Sequence, residues 1–292
     1  MVDVKECYLS HIYELFDASK YHVESYVTTT EDGYILKAWR VRLQPYLLDK
    51  LPKEFQKNID QPLYMAHGMS GAADSWFMNG EDKSLGFYLV NKGYDVWAGS
   101  NRGTKDCVKH TNKNITKPEF YSYSFQQMGK FDLPSFYKLV LDQYNGKTKI
   151  IYVGHSQGTS QFFSSALDSS TKKFIRDHTK KFIALAPIAY MTEITDPVNL
   201  FIGKHLSAFD LVLKTFGIYD IMDFGCNAAD SYTLKTINWA CDNVMTGVCT
   251  KIINSAIGNN DVENILGRLD ILAGYYPSGD DLRCYEHYNQ LR

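Results

Sequence analysis

From His22 to Thr30 and from Tyr34 to Leu43, β-branched and aromatic residues alternate with polar ones across the short break Thr30-Glu31-Asp32-Gly33. Asp-Gly supplies the positive φ of a tight turn, so these two stretches predict an antiparallel hairpin. Four short apolar runs follow: Pro62 to His67, Asp95 to Ser100, Ile150 to Val153 and Phe182 to Leu185, each closed by a glycine, serine, proline or polar residue. Their spacing leaves room for helices between them. Strand, helix, strand in succession implies parallel pairing with right-handed crossovers, hence a mostly parallel sheet covered on both faces.

Two helices stand out. Asp132-Leu133-Pro134 followed by SFYKLVLDQYNG offers an acid at the N-cap, proline in the first turn, apolar residues at helical spacing and a closing glycine. Gln157 to Leu167 is the second, ending among Asp168, Ser169 and Ser170. After Pro187 the pattern changes: Leu200 to Leu213, Ser231 to Met245 and Thr250 to Ile257 read as helices with no further apolar strand. The expected organisation is therefore one α/β core over 1–189, a helical cap over 190–280, and a cap end over 281–292.

Composition narrows the function without naming it. The chain has 292 residues, 45% hydrophobic and 22% charged, within the range of an ordinary globular protein. A net charge of -2 with scattered Lys and Arg supplies no electrostatic footprint for nucleic acid. The 21 tyrosines, against 16 phenylalanines, lean towards apolar surfaces with polar tips, suited to a greasy ligand. No apolar run is long enough for a membrane span, and Asp3, Glu6, His11 and Glu14 interrupt what an export signal would need at the N-terminus. Six cysteines are too sparse for a disulfide scaffold. Three of them, Cys226, Cys241 and Cys249, share one short segment where a local bridge is possible, and Asn114-Ile115-Thr116 fits a glycosylation acceptor.

The chemistry concentrates at Gly154-His155-Ser156-Gln157-Gly158, between the apolar run KIIYV and a predicted helix. A serine attacks a carbonyl when it is exposed, near a base, and near donors for the developing oxyanion. A sharp strand-to-helix turn supplies these conditions, and it needs tiny residues two positions either side because the backbone passes close to itself. His155, as the serine's neighbour in such a turn, should point elsewhere. His67-Gly68-Met69-Ser70-Gly71 leaves the first parallel strand at the same carboxyl edge, where the Met69 and Gln157 backbone N–H groups can face one carbonyl oxygen. Arg102, in GYDVWAGSNRGT, suits an anionic ligand or a loop held through backbone carbonyls; the structural role is the expectation.

In their order, HGMSGAADSWFMNG (67–80), GYDVWAGSNRGT (93–104), YSFQQMGKFDLPSFY (123–137) and YVGHSQGTSQFF (152–163) resemble landmarks of the acid lipase family, the gastric and lysosomal neutral-lipid hydrolases. TTTEDGYILKAWRV (28–41) resembles that family's N-terminal segment, about 10–70 here, and LDILAGYYPSGDDLRCYEHYNQL (269–291) the end of its cap. The resemblance implies an α/β-hydrolase fold with a helical cap over a deep apolar site. It implies Ser156 as nucleophile, Met69 and Gln157 as oxyanion donors, no cofactor and no metal, and a lipid ester substrate met in transient contact with a lipid surface. It also implies a secreted or lysosomal setting, and a Cys226–Cys241 bridge as the family-like pairing.

In the family the acid and histidine follow the cap, on loops after two further core strands. No such segment precedes Arg292, so the expectation is a truncated sequence that lacks the last core strands, which would leave the sixth strand as an apolar edge. Within the chain, His287 with Asp280 or Asp281 keeps the order serine, acid, histidine, while His178 and His205 are weaker substitutes. The leading expectation is a serine ester hydrolase. A catalytically silent lipid-binding relative and an acyltransferase using the same residues are the alternatives.

Overall fold

The computed structural model describes residues 12–191, 211–217, 219, 244, 275, 276 and 278–291. β1 (Tyr21–Thr29) and β2 (Tyr34–Leu43) form the predicted hairpin, with Gly33 at φ 100° in its turn and the Gly33 N–H donating to the Thr30 carbonyl at 3.0 Å. β3 (Pro62–Ala66), β4 (Asp95–Ser100), β6 (Ile150–His155) and β7 (Thr179–Leu185) are the four apolar runs. The sheet order is β1-β2-β4-β3-β6-β7, with β5 (Lys109–His110) paired to the end of β2. β4, β3, β6 and β7 run parallel, and β2 joins them antiparallel through β4. A mostly parallel sheet of the α/β-hydrolase type is thus present.

Side-chain alternation splits the core into two layers. On one face Tyr64, Trp97 and Tyr152 meet Leu133, Phe136, Tyr137 and Val140 of a long helix; on the other, Leu63, Met65, Val96, Ala98, Ile151 and Val153 meet Phe77, Phe87 and Val90. Because β3, β4 and β6 are covered on both faces, their runs read as continuously apolar. α1 (Leu85–Asn91) covers the second face, and α2 (Leu133–Asp142) and α3 (Gln157–Leu167) the first.

The structure departs from expectation in three places. Asp132 is not an N-cap: it is helical, at φ -70° and ψ -51°, makes no capping bond, and ends a π-helical stretch over Met128–Asp132 that runs into α2. Pro134 has no N–H to give, and a wider turn before it accommodates the missing bond. α4 (Lys172–His178) is a helix additional to those the pattern predicts, and β7 starts at Thr179, ahead of the apolar residues. Of the predicted cap helices, 211–213 are helical and Val244, inside the predicted Ser231 to Met245, lies in a turn; the remainder, with Cys226, Cys241, Cys249 and His205, lie outside the described residues. The chain closes on α5 (Leu282–Gln290), whose N-cap carboxylate, Asp281, accepts from the Arg283 N–H at 2.9 Å.

Candidate active site

Ser156 stands between the end of β6 and the start of α3 at φ 50° and ψ -115°, a conformation that disfavours any residue with a Cβ. Its N–H donates to the Leu185 carbonyl at the end of β7, at 2.9 Å, and the Thr159 N–H and hydroxyl cap its own carbonyl at 2.8 and 2.6 Å. The turn is tight for the reason the flanking glycines suggest. A Cβ at Gly154 would lie 2.8 Å from the Gly158 carbonyl, and one at Gly158 only 2.5 Å from the Ala66 carbonyl oxygen. Strained backbone held from several sides is how such a turn keeps its serine partly exposed at the sheet's carboxyl edge.

The loop after β3 comes to the same place. A Cβ at Gly68 would meet Ser156 Cβ at 3.3 Å and the His155 ring at 2.8 Å, so His67–Gly71 lies directly against the serine turn. The Gly71 N–H donates to the Gly68 carbonyl at 3.1 Å, and Ser70 sits at φ 56°. Neither the Met69 nor the Gln157 backbone N–H finds an acceptor among the described residues. Gln157 is the first residue of α3, where a helix leaves its N–H groups unpaired and carries positive potential.

Several buried contacts fix this loop. His67 accepts the Asn101 N–H at Nε2 (3.0 Å) and so donates from Nδ1 to the Gly68 carbonyl (2.8 Å). Burial holds its pKa down to about 4, which keeps the ring neutral and structural. Arg102 is 1% exposed and takes the expected structural role through carboxylates rather than carbonyls. Its side chain donates to Asp132 at 2.8 and 2.7 Å and to Asp32 at 2.7 and 2.9 Å, and its own N–H to Asp132 at 3.1 Å. That cluster ties the hairpin turn and the start of α2 to the loop after β4. Among the described residues no group of side chains suits a metal ion.

Among the described residues the substitute bases do not assemble with Ser156. His287 stacks on Phe125, ring centroids 4.3 Å apart, and contacts Ser124 Oγ at 3.0 Å. Asp281 caps α5 and accepts from the Tyr123 N–H at 3.2 Å, while Asp280 accepts from Gln157 and Ser70. His178 bonds to the Phe174 carbonyl within α4, before β7 begins, at the opposite end of that strand from Ser156. His155 faces the Gly68 turn and Trp76. No described histidine hydrogen-bonds to Ser156. What sequence reasoning missed is the docking of 276 and 278–285 against the loop after β3: Tyr276, Ser278, Asp280 and Tyr285 each bond to Met69 or Ser70. A pair of acids beside an apolar helix start signals a cap; its second partner is not visible in sequence.

Comparison with known proteins agrees with this architecture. Residues 12–80 match the model of a partial alpha/beta-hydrolase lipase region, and residues 61–224 that of the alpha/beta hydrolase fold. The chain is 30% identical to mouse lipase member M over 282 residues, 96% of this chain and 62% of that protein. It is 31% identical to human lipase member J over 272 residues, covering 93% and 70%. Against mouse gastric triacylglycerol lipase the identity is 32% over 278 residues, covering 93% and 64%. The chain thus spans roughly two thirds of the length of these relatives.

Proposed function

Because the chain belongs to the α/β-hydrolase lipase family, we propose that it is a serine ester hydrolase cleaving neutral lipid esters, triacylglycerol or sterol ester, through an acyl-enzyme on Ser156. The observation that carries this reading is the Ser156 turn at φ 50° with the His67–Gly71 loop against it and, at its edge, two N–H groups that have no acceptor among the described residues.

In this reaction Ser156 Oγ forms a bond to the ester carbonyl carbon and gives up its proton to a base. The carbonyl π electrons move to oxygen, and the Met69 and Gln157 N–H groups hold the resulting oxyanion. Collapse expels the alcohol, which takes the proton, and water then cleaves the acyl-enzyme by the same steps. Donors set rigidly around such an oxyanion are each worth about 10²–10³ in turnover. By family resemblance the base is a histidine held by an acid; His67 is excluded by its two structural bonds and His287 by its stacking on Phe125. The same reading divides the chain into a core over 1–189 and a cap over 190–280 that meets a lipid surface, and places the protein on the secretory or lysosomal route.

A second reading, a lipid-binding relative without turnover, is favoured by the absence of a histidine bonded to Ser156 among the described residues. Fatty-acid release from triolein and cholesteryl oleate emulsions separates the two. The proposal expects release that falls by at least about 10⁴-fold in Ser156→Ala; emulsion binding with equal, background release from both proteins establishes the second reading instead.

A further inference from the structure

Ser70 occupies left-handed backbone at φ 56°, a conformation that costs a serine about 1–2 kcal/mol. Four bonds from one distant segment hold it there. The Ser70 carbonyl accepts the Ser278 N–H at 2.7 Å, the Ser70 N–H donates to Asp280 Oδ2 at 3.2 Å, and Ser70 Oγ meets the Tyr285 hydroxyl at 2.8 Å. The Tyr276 hydroxyl donates to the Met69 carbonyl at 3.3 Å. The Met69 carbonyl and the Ser70 N–H are the two ends of a single peptide plane, so that plane is pinned from both sides. The Met69 N–H lies in the preceding plane, whose carbonyl, that of Gly68, is held by His67 Nδ1 at 2.8 Å and the Gly71 N–H at 3.1 Å. With the planes on both sides of Met69 fixed, that N–H has little freedom in where it points.

Asp280 does more than hold this one loop. The same oxygen, Oδ2, accepts from Gln157 Nε2 at 2.9 Å, and Oδ1 accepts from the Asp281 N–H at 2.9 Å. Asp280 is 2% exposed and Gln157 wholly buried. Burial pushes the Asp280 carboxyl above its ordinary value, opposed by hydrogen bonds from Cys284, Gln157, Ser70 and Asp281. The two residues meant to face the oxyanion arise on different segments, the loop after β3 and the first residue of α3 after β6. A single carboxylate, supplied from more than a hundred residues further along the chain, joins them.

On the reading of Ser156 given above, we infer that Asp280 is a positioning residue for the oxyanion hole, setting the relative aim of the Met69 and Gln157 N–H groups through its shared bonds to Ser70 and the Gln157 side chain. It touches no reacting atom. Its contribution belongs to the transition state, where the oxyanion forms, and not to binding of the ground-state ester.

The test compares the full chain with Asp280→Ala, Asp280→Asn and Asp281→Ala on p-nitrophenyl butyrate, with circular dichroism to score the folded fraction. Asp280→Ala should lower kcat about 10–100-fold with KM within about twofold, because a misaimed donor is lost only in the transition state. Asp280→Asn keeps an accepting oxygen and should recover to within about fivefold of wild type. Asp281→Ala removes the α5 cap and the Tyr123 contact, and so reports loosening of the segment alone; it should lower the melting temperature and leave kcat within about twofold. If Asp280→Ala does not fold, Gln157→Met cuts the same bond from the other side while keeping the backbone donor, and should lower kcat at least about fivefold. Unchanged kcat in folded Asp280→Ala or in Gln157→Met overturns the inference, as does an equal loss in Asp281→Ala. A wild-type chain that turns over no ester defeats the hydrolase reading itself and this inference with it, an outcome distinct from the others.

Discussion

Replacing Gly158 by alanine tests the geometry of the serine turn most sharply. The added Cβ would lie 2.5 Å from the Ala66 carbonyl oxygen and 3.0 Å from its carbonyl carbon, both backbone atoms of β3. Ordinary contact begins roughly 1 Å further out, and no flexible side chain can yield, so α3 and β3 must separate. The Gly158 carbonyl also accepts from the buried Tyr152 hydroxyl at 2.6 Å, which holds the start of α3 down on the sheet. Overpacking of this kind costs about 1–3 kcal/mol. The functional effect should be larger than that, because Ala66 leads straight into His67–Gly71, and a displacement near 1 Å between a nucleophile and its oxyanion donors costs about 10²-fold. The assay pairs urea unfolding with the rate at which a fluorophosphonate labels the folded protein. Gly146→Ala is the control: it sits at φ 69° with nothing within 4 Å of the added carbon, so it should lose about 1–2 kcal/mol through backbone strain and label at the wild-type rate. Gly158→Ala labelling as fast as Gly146→Ala, with no greater loss of stability, refutes the close approach of α3 to β3.

Other expectations follow from the buried charges and the surface. Arg102→Ala leaves Asp132 wholly buried without its cation and should cost about 3–5 kcal/mol in urea unfolding; Arg102→Lys should recover only part, since an ammonium cannot reproduce the guanidinium's planar fork. Burial, with Asp280 beside it, raises the Asp281 carboxyl to about 8, against a value near 4 in an unfolded chain. A raised acid favours the folded state fully below the unfolded value and loses that contribution as pH climbs through 8. Melting temperature should therefore fall from pH 6.5 to 8 and fall less in Asp281→Asn, whereas His67, with a lowered pKa, acts in the opposite sense below about pH 6.5. Asn114 is exposed in Asn-Ile-Thr, so on secretory expression an N-glycosidase should shift the mass of the wild type and not of Asn114→Gln.

Much of this was legible because it depends on local chemistry. Asp32-Gly33 marks its own turn, three doubly covered strands read as apolar runs, and Gly154 and Gly158 mark a close backbone approach that the structure places at 2.8 and 2.5 Å. What escaped depends on distant partners. Asp132 has the local signature of a helix cap, yet its carboxylate serves Arg102, thirty residues earlier. Asp280 and Asp281 look alike in sequence, but one caps α5 and the other reaches Ser70 and Gln157. β5 pairs over only two residues, too few to leave an alternating pattern.

The central claim is that Ser156 is an activated nucleophile, and intact-mass spectrometry of the full chain after exposure to a fluorophosphonate tests it most directly. The account predicts one adduct per chain, mapped to Ser156 and absent from Ser156→Ala. A folded chain that acquires no adduct, or acquires one elsewhere with Ser156 unmodified, contradicts it.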